Sequence, residues 1–501
     1  MTVTDYATTP PEVPDPAAAP AAVARRRGVP RGVLWPLIGL AVLALAAWLA
    51  TRSGSGPGGS AAVTLLVFTG AVWFWTFTKV DDTYVALGAA TVLVLAGVIG
   101  TGDLFAALGD ETVWLLLAAF VIAAGLTSSG LTRRAAAFVV AGARTPRQLV
   151  HLVTIAMVVT AFMMPSTSGR AAMALPVFAA LAGILADRPR LVRALALLFP
   201  SVILLSAVGS LLGAGAHLIT SQVVVAAGGQ GFDFVTWMLL GLPLALASSH
   251  VCAEIVLLMF TGRAERRRPL RLNIADLDTD PRQPVTGPLS VHESRAALLL
   301  GAVILLWCTE PLHHVHPAIV ALLGALVATS PRYGSTTLNG ALKTVPWSML
   351  LFLAGTLALG AALTTTGAAE WVAGSLLRGL AAVPLLFVVA IVVISAAAHL
   401  LIQSRSARSA VLIPVIVAVA PLAGVDPAAA AFASTAAAGF CHTTPTSAKP
   451  VALFARLEGT DTYAPRDLLR LSTVLAPATV VLVLLFSLVV WPALGLPLLQ
   501  K

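Results

Sequence analysis

Two strings half a chain apart repeat the same polar chemistry within apolar sequence: MPSTSGRAAMALP, with Ser166, Ser168, Arg170 and Pro176, and IQSRSARSAVLIP, with Ser404, Ser406, Arg408 and Pro414. In each, a Ser-x-Ser precedes a helical Ala/Leu/Val pattern, so the hydroxyls stand where they cap free backbone N–H groups and where the helix dipole is positive. Such a tip attracts an anion. The arginine falls in the first turn, where a cation opposes the dipole and where burial in a membrane costs at least ~2.5 kcal/mol. Something negative must compensate it, either a distant Glu or a transported anion. A lone arginine of this kind also reads as a snorkelling or loop-neutralising residue; a matched pair in a repeat argues for a site. Arg405 stands where the first string has Thr167, so the two tips are asymmetric.

Each string is followed by a long apolar stretch interrupted midway: Gly209-Ser-Leu-Leu-Gly213-Ala-Gly215-Ala-His217, and Gly439-Phe-Cys-His442-Thr-Thr-Pro445-Thr-Ser-Ala-Lys449-Pro450. Glycines and prolines break a membrane helix and free backbone groups, which persist only where they line a cavity. Lys449 in mid-membrane is as costly as the arginines and joins the candidate site. His217 and His442, taken alone, read as satisfied core histidines. His313, His314 and His316 share a short loop without a Cys or paired carboxylate, so no metal site is assigned. Glu254 carries a proton or pairs with an arginine; both readings stay open. Cys252, Cys308 and Cys441 are scattered, with no CxxC, and read as free thiols.

These residues need elements to hold them. With 58% hydrophobic and only 11% charged residues and a mean hydropathy of +0.92, the chain cannot be a water-soluble globule, whose charged fraction is about 25%. Apolar runs that span a ~30 Å core recur from residue 34 onward, and the net charge of +9 resides largely in short arginine-bearing loops, which explains it by topology rather than by nucleic acid. Besides the tips, Leu126-Thr-Ser-Ser-Gly130 returns as Leu363-Thr-Thr-Thr-Gly367, and the sequence around His217 as that around Lys449, at nearly constant offset. The chain is thus a duplication.

The expected fold is an all-α polytopic membrane protein, an inverted repeat of about five transmembrane helices plus one re-entrant hairpin each, with one extra N-terminal helix. That gives about 11 transmembrane helices and two hairpins. Residues 1–32 read as a disordered cytoplasmic tail, 33–60 as an uncleaved N-terminal transmembrane helix, 61–261 as the first repeat with its hairpin at about 150–185, 262–293 as a basic cytoplasmic loop, and 294–501 as the second repeat with its hairpin at about 383–422. Most basic loops then fall on one side, Arg378 excepted, with the N-terminus cytoplasmic and the C-terminus outside the cell membrane.

Two Ser-rich tips paired with two interrupted helices resemble the divalent-anion:sodium symporter family of di- and tricarboxylate transporters, over nearly the whole chain after residue 60. In that family each hairpin carries Ser-Asn-Thr ten residues before a proline. Counting back from Pro176 and Pro414 places Ser166-Thr167-Ser168 and Ser404-Arg405-Ser406 on these signatures, and Gly213 to His217 and Thr446 to Lys449 match the broken-helix signatures. The resemblance implies a homodimer with a scaffold and an elevator-like transport domain, in which the signature serines and threonines contact substrate carboxylates. With the buried cations added, the expected substrate site is Ser166, Thr167, Ser168, Arg170, His217, Ser404, Arg405, Ser406, Arg408, Thr446 and Lys449. Thr167 and Arg405 replace the asparagines that help form the family's sodium sites, so the coupling ion stays open between sodium, a proton and a counter-anion. The expected function is secondary transport of a small multiply charged anion, a di- or tricarboxylate or a sulfate-like oxyanion, without cofactor or metal. An arsenite or sodium/proton antiporter is the alternative, although its intramembrane carboxylates are missing from the motifs. A membrane-embedded enzyme is the remote one, since HExxH, facing aspartate pairs and a nucleophile elbow are all absent from the sequence.

Overall fold

A computed structural model describes residues 58–78, 80–135, 142–270, 285–376, 383–457 and 460–499. The expected tail, nearly all of the first helix at 33–60, residues 271–284 of the basic loop and Arg378 lie outside these. Among the described residues the chain is an all-α polytopic membrane protein, with ten helices long and apolar enough to cross a bilayer and four shorter apolar helices beside them. The one sheet among them is a two-stranded ribbon, Arg456–Leu457 with Thr460–Asp461.

Two series of elements follow in the same order. The first is α1 (Gly59–Phe77), α2 (Asp82–Leu95), α3 (Glu111–Ser129), a hairpin of α4 (Pro146–Met163) and α5 (Thr167–Ile184), an interrupted helix α6 (Pro189–Leu205) and α7 (Gly215–Ala226), and the long α8 (Phe234–Phe260). The second is α9 (Val291–Cys308), α10 (Pro317–Ala328), α11 (Trp347–Thr365), a hairpin of α12 (Pro384–Ala397) and α13 (Arg405–Val419), an interrupted helix α14 (Pro427–Ala437) and α15 (Lys449–Phe454), and α16 (Pro465–Leu485). Local chemistry fixes the starts. Asp81, Asp110, Thr145, Asp233 and Asp426 each accept a first-turn N–H, and Ser290 with Glu293 forms a capping box.

Packing between the series is reciprocal. α3 lies on α10 and α2 on α11, while α7 crosses to α13 and α15 to α5. Each interrupted helix therefore delivers its second half to the other series' hairpin. Aromatic clusters anchor these crossings: Phe178, Phe199 and Phe454 join α5, α6 and α15 with ring centroids 5.4 to 5.7 Å apart, and Phe432 of α14 touches Trp237 and Trp491 at 4.7 and 4.9 Å. Such pairs add about 0.5–1.5 kcal/mol each beyond area burial.

The break between α6 and α7 consists of two 3₁₀ turns, Ser206–Gly209 and Leu211–Gly213. Its freed carbonyl at Val208 accepts the Trp237 indole N–H at 2.9 Å, and a Cβ at Gly241 of α8 would meet that same oxygen at 2.0 Å. In an ordinary helix Gly to Ala gains about 1 kcal/mol. Here the backbone clash decides the sign, so Gly241→Ala is expected to destabilise the protein by about 1–3 kcal/mol, read by thermal unfolding in detergent; a stabilised variant would show that the break does not rest on α8.

Candidate functional site

Four helix N-termini converge on one cavity of about 350 Å³, walled by Ser166–Ser168 at the start of α5, Ala214 and Gly215 at α7, Ser404–Ser406 at α13 and Ala448–Pro450 at α15. Ser166 and Ser404 are the N-caps of the hairpin helices, accepting from the N–H groups of Gly169 at 3.2 Å and Ala407 at 3.3 Å. The N-caps of α7 and α15 are alanines without a capping side chain. No side chain caps their first-turn N–H groups; in α7 the His217 N–H is taken by the Ala214 carbonyl at 3.0 Å, and in α15 Pro450 has none, which leaves the N–H groups of Gly215, Ala216 and Lys449 facing the start of each helix. Gly215 lets the second tip come close, since a Cβ there would sit 3.3 Å from the Ser406 hydroxyl and 2.4 Å from the Met349 methyl.

The lining carries three cations, Arg405, Arg408 and Lys449, against one carboxylate, Asp82. With all ionised, two positive charges remain uncompensated. Arg408 is fully buried, and none of its guanidinium nitrogens has a hydrogen-bond partner among the described residues. Arg405 reaches the Leu204 carbonyl at 3.4 Å with Nη1 while Nε and Nη2 stay without a partner; Gly439 makes room for it, since a Cβ at that position would lie 3.2 Å from Nη2. Buried cations in this condition cost several kcal/mol each. A bound anion would offset that cost, and no carboxylate of the protein among the cavity residues does so for both.

Of the expected site residues, Ser166, Thr167, Ser168, Ser404, Arg405, Ser406, Arg408, Thr446 and Lys449 line this cavity, and Arg170 and His217 do not. Arg170 is fully buried but uses its donors inside the first series: on the Thr160 hydroxyl at 3.0 Å, the Ile203 carbonyl at 2.9 Å, the Met157 carbonyl at 2.5 Å and the Ser206 hydroxyl at 2.7 Å. It pins α5 to α4 and to the end of α6. His217 contacts the Ser210 carbonyl through Nδ1 at 2.9 Å and stacks on Trp237 at 4.8 Å, behind the wall.

Sequence reasoning missed Asp82. Asp81 caps α2 by accepting from Thr83 and Tyr84, which leaves its neighbour Asp82 for the cavity, where it interacts with Ser404 and Lys449. Two carboxylates before an apolar run, where one cap suffices, was the available signal. Elsewhere, His316 faces Glu111 at 3.1 Å, and in the same loop burial, with Asp233 nearby, holds the Glu310 carboxyl above its usual range. A second cavity of about 730 Å³ lies behind the first tip and shares Pro165 and Ser166 with the site. The tip is thus a partition between two spaces.

Known proteins agree with this architecture. The chain is 25% identical over 354 residues to a membrane protein of Cupriavidus necator, covering 68% of this chain and 65% of that protein's length, and 26% identical over 323 residues to an uncharacterized transporter of Mycobacterium tuberculosis, covering 62% and 70%. In fold it is similar to the YdaH transporter of Alcanivorax borkumensis, with a TM-score of 0.52, 18% identity and coverage of 88% and 99%. It is likewise similar to Neisseria gonorrhoeae MtrF, whose structure is described as that of a class of antimetabolite efflux pumps, with a TM-score of 0.55, 14% identity and coverage of 95% and 98%. The citrate transporter family model CitMHS matches residues 72–437, and the chain therefore belongs to the citrate transporter family.

Proposed function

We propose that this membrane transporter carries a small di- or tricarboxylate, citrate included, in the cavity between the two hairpin tips, and that it does so without sodium. The observation that carries the reading is the pair of buried guanidinium groups, Arg405 and Arg408, with unused donors on a cavity wall of net positive charge. Guanidinium forks, serine hydroxyls and helix N-termini bind carboxylates by charge-assisted hydrogen bonds. Arg405, at the position of a family asparagine, supplies a fixed charge where divalent-anion:sodium symporters place an ion, and kinship with that family is part of the proposal. So are an elevator-type movement of the hairpin-bearing bundle, a homodimer, inverted orientation of the two series, and a cell membrane with the N-terminus cytoplasmic and the C-terminus outside. Unloaded return would drag uncompensated charge through a low-dielectric region, which favours exchange of anions.

The test is uptake of labelled succinate, citrate and sulfate into proteoliposomes, with and without a sodium gradient and with and without internal anion. Uptake that needs internal anion and ignores sodium supports the reading; strict sodium dependence places Arg405 outside the ion site. Asp82 sets the charge balance. At a separation of ~10 Å and an effective dielectric of ~20, removing its charge changes the binding of each additional substrate charge by about 1.7 kcal/mol. Asp82→Asn is therefore expected to shift the preference for citrate trianion over succinate dianion upward by about 15- to 20-fold, measured by competition at fixed pH; an unchanged ratio would take Asp82 out of substrate recognition.

A further inference from the structure

Away from the cavity, α4 and α8 meet through two residues of each helix spaced one turn apart: Arg147 and His151 on α4, His250 and Glu254 on α8. His151 Nδ1 lies 2.8 Å from His250 Nδ1, His151 Nε2 lies 2.6 Å from Glu254 Oε1, and Arg147 Nε donates to the same oxygen at 2.7 Å. We propose that His151 and His250 share a proton across this contact, making the pair a proton-binding site that sets how the first hairpin is seated.

The hydrogen bonds fix the proton count. Ionised Glu254 only accepts, so His151 carries a proton on Nε2. The Nδ1–Nδ1 contact requires one nitrogen to donate and the other to accept. The neutral pair meets this with His250 donating. One added proton also leaves it intact, because the charge sits on either ring, the Nδ1 contact still shares a single proton, and Glu254 accepts from both His151 and Arg147, although the four groups then carry a net charge of +1. A second added proton makes both Nδ1 atoms donors facing each other at 2.8 Å, which drives α4 and α8 apart. The contact therefore accommodates one added proton and is broken by the second.

Several charges on the neighbouring elements are committed elsewhere, while Arg190 of α6, Arg144 before α4 and Arg263 and Arg267 of the short helix after α8 stand on those elements as further cations. From the α6 end, Arg188 bonds Glu265 at 2.5 Å and Arg193 lies 4.0 Å from Asp467 at the start of α16. From the short helix Arg263–Arg267, Arg266 donates to the Thr261 and Leu257 carbonyls, and Arg170 of α5 is held as described above. Burial is the largest influence on His250 and on Glu254; beside it His250 feels His151 and Glu254, and Glu254 feels His151 and Arg147. Arg147 is 69% exposed and Glu254 29%. The mechanical link is α4 itself: Met157, whose carbonyl holds Arg170, follows His151 by six residues, about 9 Å along the helix, and the helix ends at the tip bearing Ser166.

Side-chain ¹⁵N-histidine NMR of the full chain in nanodiscs tests this without any transport assay, with His151→Gln and His250→Gln assigning the signals. The expected result is two coupled steps separated by more than about one pH unit, collapsing to a single step for the remaining ring in either variant, with the first step moved to lower pH in Glu254→Gln. Amide exchange of residues 146–163, corrected for intrinsic pH dependence, is expected to rise with the second step in the wild type and not in His250→Gln. Independent single steps for both rings near pH ~6.5 in the wild type overturn the shared proton. Exchange with the same pH profile in wild type and His250→Gln overturns the link to the hairpin.

Discussion

Arg408→Met is expected to make the anion-free protein more stable and to abolish anion binding. The wild-type guanidinium is fully buried without a hydrogen-bond partner among the described residues, so folding without an anion carries an effective desolvation cost of several kcal/mol. Methionine keeps the length and apolar stem and removes that cost. A gain of about 2–4 kcal/mol in unfolding free energy follows, at the sacrifice of function expected of a strained binding site. If citrate is the substrate as proposed, saturation at a hundredfold excess over Kd is expected to stabilise the wild type by about 2.7 kcal/mol and to leave the variant unmoved. Thermal unfolding in detergent, with and without citrate, reads both quantities. A variant that loses stability, or one that citrate still stabilises, refutes the assignment of Arg408 as an anion ligand.

Arg170→Met is expected to have the opposite effect on stability, although Arg170 holds the matching place in the other string. Four donated hydrogen bonds disappear, and the buried Ile203 and Met157 carbonyls and the Thr160 and Ser206 hydroxyls each lose a charged donor. Breaking such a network costs about 3–5 kcal/mol, enough to unfold a marginal membrane protein. Arg170→Lys restores part of this, since three ammonium donors on a point charge cannot reproduce the planar fork. Size-exclusion monodispersity and thermal unfolding measure the loss. A well-folded Arg170→Met protein of wild-type stability that fails to bind citrate would move Arg170 into the site and undo its description as a pin.

The opposite roles of these arginines were only half legible in the sequence. Thr160 lies six residues before Ser166; six before Ser404 is Ala398. Ser206 lies eleven before His217; eleven before Lys449 is Ala438. The first half thus supplies two hydroxyls that satisfy its arginine, and the second half has alanines instead. Those residues are visible in the chain, but their relevance is not, because a hydroxyl one or two turns from a tip gains meaning only when helix packing brings it within about 3 Å of a guanidinium. Asp82 was missed for a similar reason. It reads as part of a helix cap until the packing of α2 on α11 carries it to the second tip.

The sequence by itself determined the membrane class, the duplicated order of elements, the serine caps of both hairpins and the glycine and proline breaks. All of these are local properties: hydropathy over a helix length, hydroxyls beside free N–H groups, and residues that cannot continue a helix. Tertiary structure decided which cations stand on the cavity wall, which is already satisfied by hydrogen bonds, which carboxylate faces them, and that His151 and His250 meet. Those are distances between residues far apart in the chain, set by the crossing of α7 to α13 and α15 to α5 and by the seating of α4 on α8, and no local pattern encodes them.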